Sequence, residues 1–239
     1  MTGLLNHGRV RADAAPPHTP RPSENGVMSH IPLRPLPPRG RHLSVAHAVA
    51  PPMNQRAPIW DRPVPHEESR PPLVWLMGAH GGAGVSTLSR MLAPTADCGR
   101  QWPAVLGGES PFIVLVARET IEGLSRAHHL LRQWHSGLAG DRSVLLGLVT
   151  CAYQSGRQPK QIRQYLDVMW DLVPEDGRWR IEWQPTWPLT EMKELPVWTP
   201  GSIAPTKGPD PLAAVRNVGE SLIKTVTAAM RPTSEGDLK

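Results

Sequence analysis

The chain has 239 residues, of which 39% are hydrophobic, and a formal net charge of +5. This length is sufficient for one α/β core with additional terminal segments. No apolar run approaches the roughly 18 residues of a membrane-spanning helix, and the first ten residues lack the apolar stretch of a secretory signal. Cys98 and Cys151 have neither CxxC nor zinc-site spacing, which favours a reduced, cytoplasmic protein.

Residues 1–71 are predicted to be a disordered, basic, proline-rich tail. Residues 1–72 hold 15 of the 28 prolines and nine arginines against five acidic residues, with no lasting apolar period. Such a segment buries too little apolar surface to offset its ordering entropy. A solvated linker or docking tail is the simpler interpretation, and weak contact with nucleic acid is the alternative.

Residues 72–230 are predicted to form the folded domain, followed by a frayed C-terminus over 231–239. Short apolar runs alternate with helical patterns, which is typical of βαβ units. This predicts an α/β fold of three layers, with a mostly parallel sheet. The predicted strands cover 73–78, 112–116, 144–149 and, at a half-exposed edge, 179–183. The predicted helices cover 85–93, 119–136, 159–172 and 212–226.

A glycine-rich loop joins the first predicted strand to the first predicted helix. A strand, a glycine loop and a helix in this order direct backbone N–H groups and a helix N-terminus at a phosphate. Without a ligand, the same loop would be a glycine turn that packs strand against helix. The candidate phosphate-binding residues are Gly81, Gly82, Ala83, Gly84, Val85, Ser86 and Thr87.

Residues 79–88 resemble the deviant Walker A loop of the ParA/MinD superfamily of P-loop ATPases. The family's glycines and its two hydroxyl residues are matched by Gly81, Gly82, Gly84, Ser86 and Thr87. The resemblance implies a P-loop fold, a site for ATP or GTP, and Mg²⁺ bound by Ser86.

Two lysines of that family pattern are replaced in this chain. His80 stands where the signature lysine contacts a nucleotide across a dimer, and Val85 stands where a lysine neutralises the β- and γ-phosphates. Without that second lysine, phosphoryl transfer loses a main stabiliser of developing charge. The sequence therefore predicts an anion site with little or no hydrolysis.

A Walker B carboxylate is also missing from the expected place. The strand over 112–116 continues into Ala117 and Arg118, and Glu119 is predicted to start the following helix. Asp97 is predicted to lie outside any strand. Three catalytic elements are thus absent together, which argues against a competent ATPase.

Weaker similarity to the same superfamily continues to about residue 200. Residues 114–118 and 146–149 resemble later strands, but Cys151, Ala152 and Tyr153 occupy the region where active members read adenine with an asparagine. The combined pattern resembles a ParA-like group from high-GC bacteria that is linked to conjugative or integrative elements.

Several other residues are candidates for function. Arg118, Arg157 and Lys160 follow strand ends, where ligands bind in open α/β sheets, so they are candidates to supply the charge that Val85 lacks; surface salt bridging is the alternative. Two tryptophans, Trp187 and Trp198, are either exposed partner anchors or core residues. A solvated histidine cluster is favoured over a metal site at His128, His129 and His135.

Three functions follow from this sequence. The first is a catalytically degenerate ParA/MinD-like adaptor that binds a protein partner, such as an ATPase of a conjugation, partition or secretion machine. The second is a nucleotide-binding switch with slow or no hydrolysis. The third is an active ATPase whose catalytic charges are relocated to Arg118 or Arg157.

Overall fold

The computed structural model describes residues 49–66 and 71–230. Five parallel strands form one sheet in the order β2-β1-β3-β4-β5, which confirms the predicted α/β class. The strands are β1 (Val74–Gly78), β2 (Thr95–Asp97), β3 (Phe112–Arg118), β4 (Val144–Cys151) and β5 (Arg178–Ile181). The α-helices are α1 (Val85–Met91), α2 (Ile121–His135), α3 (Lys160–Trp170) and α4 (Ala213–Met230).

Helices cover both faces of this sheet. The side chains of α1 and α4 share one apolar core with one set of strand residues, whereas α2 and α3 share a second core with the residues of alternate parity. This explains why β1 and β3 are apolar along almost their whole length, because a parallel strand with helices on both faces is buried twice. The protein is therefore a three-layer α/β/α domain.

The sheet reverses its winding direction at β1. The strand that follows β1 in the chain pairs on one side of it, and β3 pairs on the other side. The order 2-1-3-4-5 is one of the two common doubly wound orders, in which ligands bind beyond the carboxyl ends of the strands at this switch point. The glycine-rich loop leaves β1 at that point.

A close backbone contact shapes β4. Its register with β3 shifts between Ile113 and Val114, and a Cβ on Gly147 would overlap the backbone of Gly177, which in turn leaves no room for a Cβ of its own. The two glycines let the 3-10 turn Glu175–Gly177 lie directly against the strand. Both positions therefore require glycine.

Residues 49–66, which the sequence analysis assigned to the tail, pack on the domain as a strap. Ile59 forms an isolated bridge with Trp102, and Val64 is buried in the core on the α2 side. The buried amide of Gln133 binds both backbone groups of Ala57 at 2.8 Å. We call residues 49–66 the N-terminal strap. The predictions for residues 1–48, 67–70 and 231–239 lie outside the described residues.

The strand β2 was not predicted from the sequence. Asp97 ends β2, an edge strand of three residues, whereas it was predicted to lie outside any strand.

Trp198 is 1% exposed, and its ring lies 2.5 Å from where a Cβ on Gly219 would stand. It is a core residue and not an exposed anchor, and Trp187 is partly buried beside the same core. None of the helices in the described ranges has the length and apolarity to span a membrane.

Candidate functional site

A cleft of about 430 Å³ opens at the carboxyl ends of β1 and β3. We call it the loop cleft. All seven residues predicted to bind phosphate line it. Asp97, Gly99, Arg100 and Arg118 also line it. The cleft therefore combines a glycine-rich backbone with two guanidinium groups and one carboxylate.

Two glycines give the loop its path. Gly82 has φ +77° and Gly84 has φ +105°, which are values that other residues rarely adopt. A Cβ on Gly84 would also stand 3.5 Å from Sγ of Cys151. The next residue, Val85, begins α1. The loop thus turns tightly against the end of β4 before the helix starts.

The side chain of Val85 packs in the core that α1 and α4 share. Its side chain is 8% exposed, and its Cγ2 would lie 3.1 Å from a Cβ on Gly78. It also borders the loop cleft. The position that the ParA/MinD resemblance assigns to a phosphate-binding lysine is therefore an apolar contact between α1 and β1.

His80 is turned towards β3 and α2. Its Nδ1 donates to the carbonyl oxygen of Gly81 at 2.8 Å, and its Nε2 accepts the backbone N–H of Arg118 at 3.1 Å. These two bonds require the neutral ring with the proton on Nδ1. A Cβ on Gly123 would come within 2.7 Å of Nε2. His80 therefore joins the loop to the turn between β3 and α2.

Arg118 brings a cation to the loop. Its Nε and one terminal nitrogen lie 3.4 and 3.3 Å from the carbonyl oxygen of Gly82, and its other terminal nitrogen lies 3.4 Å from that of Ala152. These long bonds use three of the five N–H donors of a guanidinium. The rest are left for a ligand. Arg118, which was predicted as a replacement for the missing charge, thus lines the loop cleft.

Glu119 does not start α2, contrary to the prediction. The helix is capped by Thr120, whose hydroxyl accepts the N–H of Gly123. The carboxylate of Glu119 is buried and accepts two bonds from Arg180, at 2.7 and 3.1 Å, and one from Thr150 at 3.0 Å. Hydrogen bonding to Glu119 raises the pKa of Arg180. Because Arg180 and Thr150 bind its oxygens, and because it does not line the loop cleft, Glu119 has no contact with a ligand there.

The cleft contains oxygen donors that suit Mg²⁺. Ser86 is exposed in the first turn of α1, and Asp97 faces the same cleft. One oxygen of Asp97 accepts the N–H of Gly99 at 2.6 Å. Mg²⁺ is commonly held by one or two carboxylates together with substrate phosphates and water. Ser86 and Asp97 are the residues here that would hold such an ion.

A second cleft of about 670 Å³ lies beside the first and shares four of its lining residues: His80, Gly81, Gly82 and Arg118. We call it the aromatic cleft. Tyr153, which is 61% exposed, and Trp183 line its other side. Tyr153 belongs to the segment where the resemblance places adenine recognition. The sequence offered no signal that Trp183 would reach the same cleft.

The remaining candidates lie apart from the loop cleft. Arg157 lines neither cleft, and Lys160 lines a separate groove beside α3. His128 stacks edge-on against Tyr165, whereas His135 donates to the carbonyl oxygen of Leu172 at 2.8 Å. Within residues 49–66 and 71–230, no three histidine, cysteine or acidic side chains are grouped to hold a metal.

The fold and site define a doubly wound α/β protein with a glycine-rich cleft at its switch point. Comparisons with protein-family models, with curated proteins and with solved structures each give no significant match. Function is therefore inferred from the geometry of the two clefts.

Proposed function

We propose that this protein binds a nucleotide at the glycine-rich loop, turns it over slowly or not at all, and works as a nucleotide-responsive interaction module. The observation that carries the proposal is the position of Arg118, whose guanidinium lies against the Gly82 carbonyl inside the loop cleft. A cation placed there supplies charge that the glycine backbone alone lacks. A guanidinium beside the N–H groups of a glycine-rich loop favours a phosphate as the ligand.

The charge of the loop cleft supports an anionic ligand. Its lining contains two guanidinium groups, from Arg100 and Arg118, and one carboxylate, from Asp97. Guanidinium groups bind phosphate oxygens through paired hydrogen bonds that are about twice as strong as neutral ones. Mg²⁺ at Asp97 and Ser86 would remove the one repulsive charge.

The aromatic cleft supports a nucleotide over a simple phosphate. It begins at the same loop residues and extends to the exposed ring of Tyr153 and to Trp183. Stacking of a base on an aromatic ring contributes about 1–3 kcal/mol. A ligand with phosphates at one end and a planar ring at the other fits the pair of clefts.

Slow turnover follows from the groups that surround the cleft. Val85 gives no charge to a transferring phosphoryl group, and Glu119 is held by Arg180 and Thr150. Loss of one preorganised charge contact commonly costs a factor of 10² to 10³ in rate, by analogy with removing one oxyanion-hole donor. Binding without fast hydrolysis is the behaviour expected of a switch.

The test is a titration of full-length protein with fluorescent ATP and GTP in the presence of Mg²⁺. We expect saturable binding that Arg118→Ala weakens by about tenfold or more, the equivalent of one charge-assisted hydrogen bond. Arg126→Ala is the matched control, because Arg126 is exposed on α2 and pairs with Glu122 at 2.8 Å. Absence of binding at millimolar nucleotide would refute the proposal.

Introducing a lysine at position 85 tests the loop itself. Val85 borders the cleft, so the longer side chain introduced by Val85→Lys can direct its ammonium group towards bound phosphate. We expect tighter nucleotide binding together with lower stability, since Val85 also fills the core. Val85→Met supplies the same unbranched bulk without charge. An equal affinity for both variants would show that phosphate does not reach this part of the loop.

An adaptor that works without nucleotide is the second candidate. It is favoured by the exposure of Tyr153 and of Leu189, which is 88% exposed and follows Pro188 at the rim of the aromatic cleft. A partner such as an ATPase of a conjugation, partition or secretion machine would cover these side chains. Tyr153→Ala and Leu189→Ala would then abolish capture of that partner, while added nucleotide would change nothing.

The third function from the sequence analysis, an active ATPase, has Arg118 as its relocated charge. Phosphate release measured on wild-type protein and on Arg118→Lys separates it from the switch. Turnover comparable with that of ordinary ATPases, lost in the variant, would replace the slow-turnover proposal.

A further inference from the structure

A groove of about 460 Å³ lies between α3 and the edge strand β5, away from both clefts. We call it the α3–β5 groove. Its lining residues are Gln158, Lys160, Arg163, Gln164, Leu166, Asp167, Trp170 and Arg180. None of them lines the loop cleft or the aromatic cleft. The groove is therefore independent of the proposed nucleotide site.

Three cations line the groove, and one of them is already paired with carboxylates. Lys160 and Arg163 are exposed on α3, and neither has a carboxylate within ion-pair distance among the described residues. Arg180 also lines the groove and directs three of its five donors at Glu119 and Glu182. Asp167 is the single acid of the lining. Because Glu119 and Glu182 already neutralise Arg180, the groove presents two unpaired cations, Lys160 and Arg163, against one carboxylate.

A buried donor also lacks a partner there. The Nε2 of Gln158 is inaccessible to solvent and forms no hydrogen bond within the described part of the chain. An amide donor left unpaired in this way costs about 1–3 kcal/mol. A ligand oxygen reaches this donor only if the Gln158 side chain turns outward, whereas carboxylate oxygens reach Lys160 and Arg163 directly because both side chains are exposed.

The groove also has an apolar part. Leu166 is buried at its base, and Trp170 is partly buried at the last turn of α3. A small inorganic anion cannot bury these apolar surfaces, whereas the apolar side chains of an amphipathic peptide can pack on them. Asp167 stands in the same wall and opposes a ligand that carries a negative charge at every repeat, as nucleic acid does.

We infer that the α3–β5 groove is a docking site for an acidic segment of a partner protein. Carboxylates of that segment bind Lys160, Arg163 and the free donors of Arg180, and an apolar side chain packs on Trp170. The basic N-terminal part of this chain has the wrong charge to be the occupant. The inference does not depend on nucleotide binding at the loop.

The experiment uses full-length protein and a short fluorescein-labelled peptide of alternating glutamate and leucine, followed by fluorescence anisotropy. We expect saturable binding that falls with salt, because exposed charge pairs are screened. The double variant Lys160→Glu/Arg163→Glu should bind about tenfold more weakly, since reversed charges repel the peptide. Its nucleotide affinity should equal that of the wild type.

Two controls make the result decisive. The double variant Arg142→Glu/Lys224→Glu changes the net charge by the same amount at exposed positions outside the groove and should bind the peptide normally. A peptide with glutamine in place of glutamate should not bind. The inference is overturned if the control variant weakens binding equally, if the glutamine peptide binds as well, if binding fails to saturate at millimolar peptide, or if a single-stranded oligonucleotide binds the groove more tightly than the peptide.

Discussion

The imidazole of His80 lies directly against Gly123, at the first turn of α2. A Cβ at position 123 would stand 2.7 Å from Nε2 of His80 and 3.0 Å from the hydroxyl of Thr120, and it would overlap the carbonyl oxygen of Arg118. Three parts of the site meet at this glycine: the loop, the end of β3 and the helix cap. The orientation of His80 therefore depends on the absence of one methyl group.

Gly123→Ala is expected to destabilise the protein by about 1–3 kcal/mol, the usual cost of overpacking, and to weaken the proposed nucleotide binding because His80 must move. Urea unfolding followed by tryptophan fluorescence measures the first effect. Gly81→Ala is the control, since a Cβ there meets nothing within 4 Å. Equal stability of the two variants would contradict the close packing at Gly123.

Glu119→Gln should lower the free energy of unfolding by about 1–3 kcal/mol. The change removes the charge of a buried carboxylate whose side chain is 4% exposed and leaves Arg180 without its main partner. Glu182→Gln alters the other carboxylate bound to Arg180, which is 79% exposed, and should cost little. Comparable losses from both variants would show that burial of Glu119 does not matter.

Stability should fall on mild acidification. Burial lowers the pKa of His128 and of His129 below the ordinary value of 6.5. As the pH drops through that value, the unfolded chain takes up protons at these rings before the folded chain does, so the unfolded state gains. Thermal melts between about pH 7.5 and pH 5 should therefore show a smaller decrease for His128→Gln/His129→Gln than for the wild type. Parallel curves for the two proteins would refute the assignment.

Neither cysteine should react quickly in the folded protein. Burial raises the pKa of Cys151 to about 12, and it also raises the pKa of Cys98. Thiolate is the reactive form, so labelling with iodoacetamide near pH 8 should be slow until urea is added. Above the unfolded thiol pKa of 9.0, the unfolded chain releases these protons first, and stability should fall. Labelling of native protein at the rate of unfolded protein would contradict this burial.

The long apolar strands were the part of the fold that the sequence predicted best. Residues 112–116 and 144–149 contain continuous apolar runs, because helices cover both faces of those strands. Thr95–Asp97 has no such run and forms β2 only through its pairing with β1. The N-terminal strap was missed for a related reason. Its prolines interrupt any helical or strand-like spacing of apolar residues. It is held on the domain by single contacts, such as the hydrogen bond from Trp60 Nε1 to the Cys98 carbonyl oxygen at 3.1 Å.

The site was predictable where it depends on local backbone and not where it depends on distant partners. The glycines at 82 and 84 indicate positive φ directly, and Arg118 follows a predicted strand. By contrast, the inward turn of His80 needs the backbone of residue 118, and the role of Glu119 needs Arg180, sixty-one positions away. No pattern within the loop or at the end of β3 specifies either contact.

The side chain of Arg118 lines both the loop cleft and the aromatic cleft. A ligand that draws the guanidinium towards one cleft alters the free energy of binding in the other. Thermodynamic reciprocity then requires that each ligand changes the affinity of the other by the same factor. We expect phosphate and aromatic ligands offered separately to change each other's affinity, because the two clefts share Arg118 together with His80, Gly81 and Gly82.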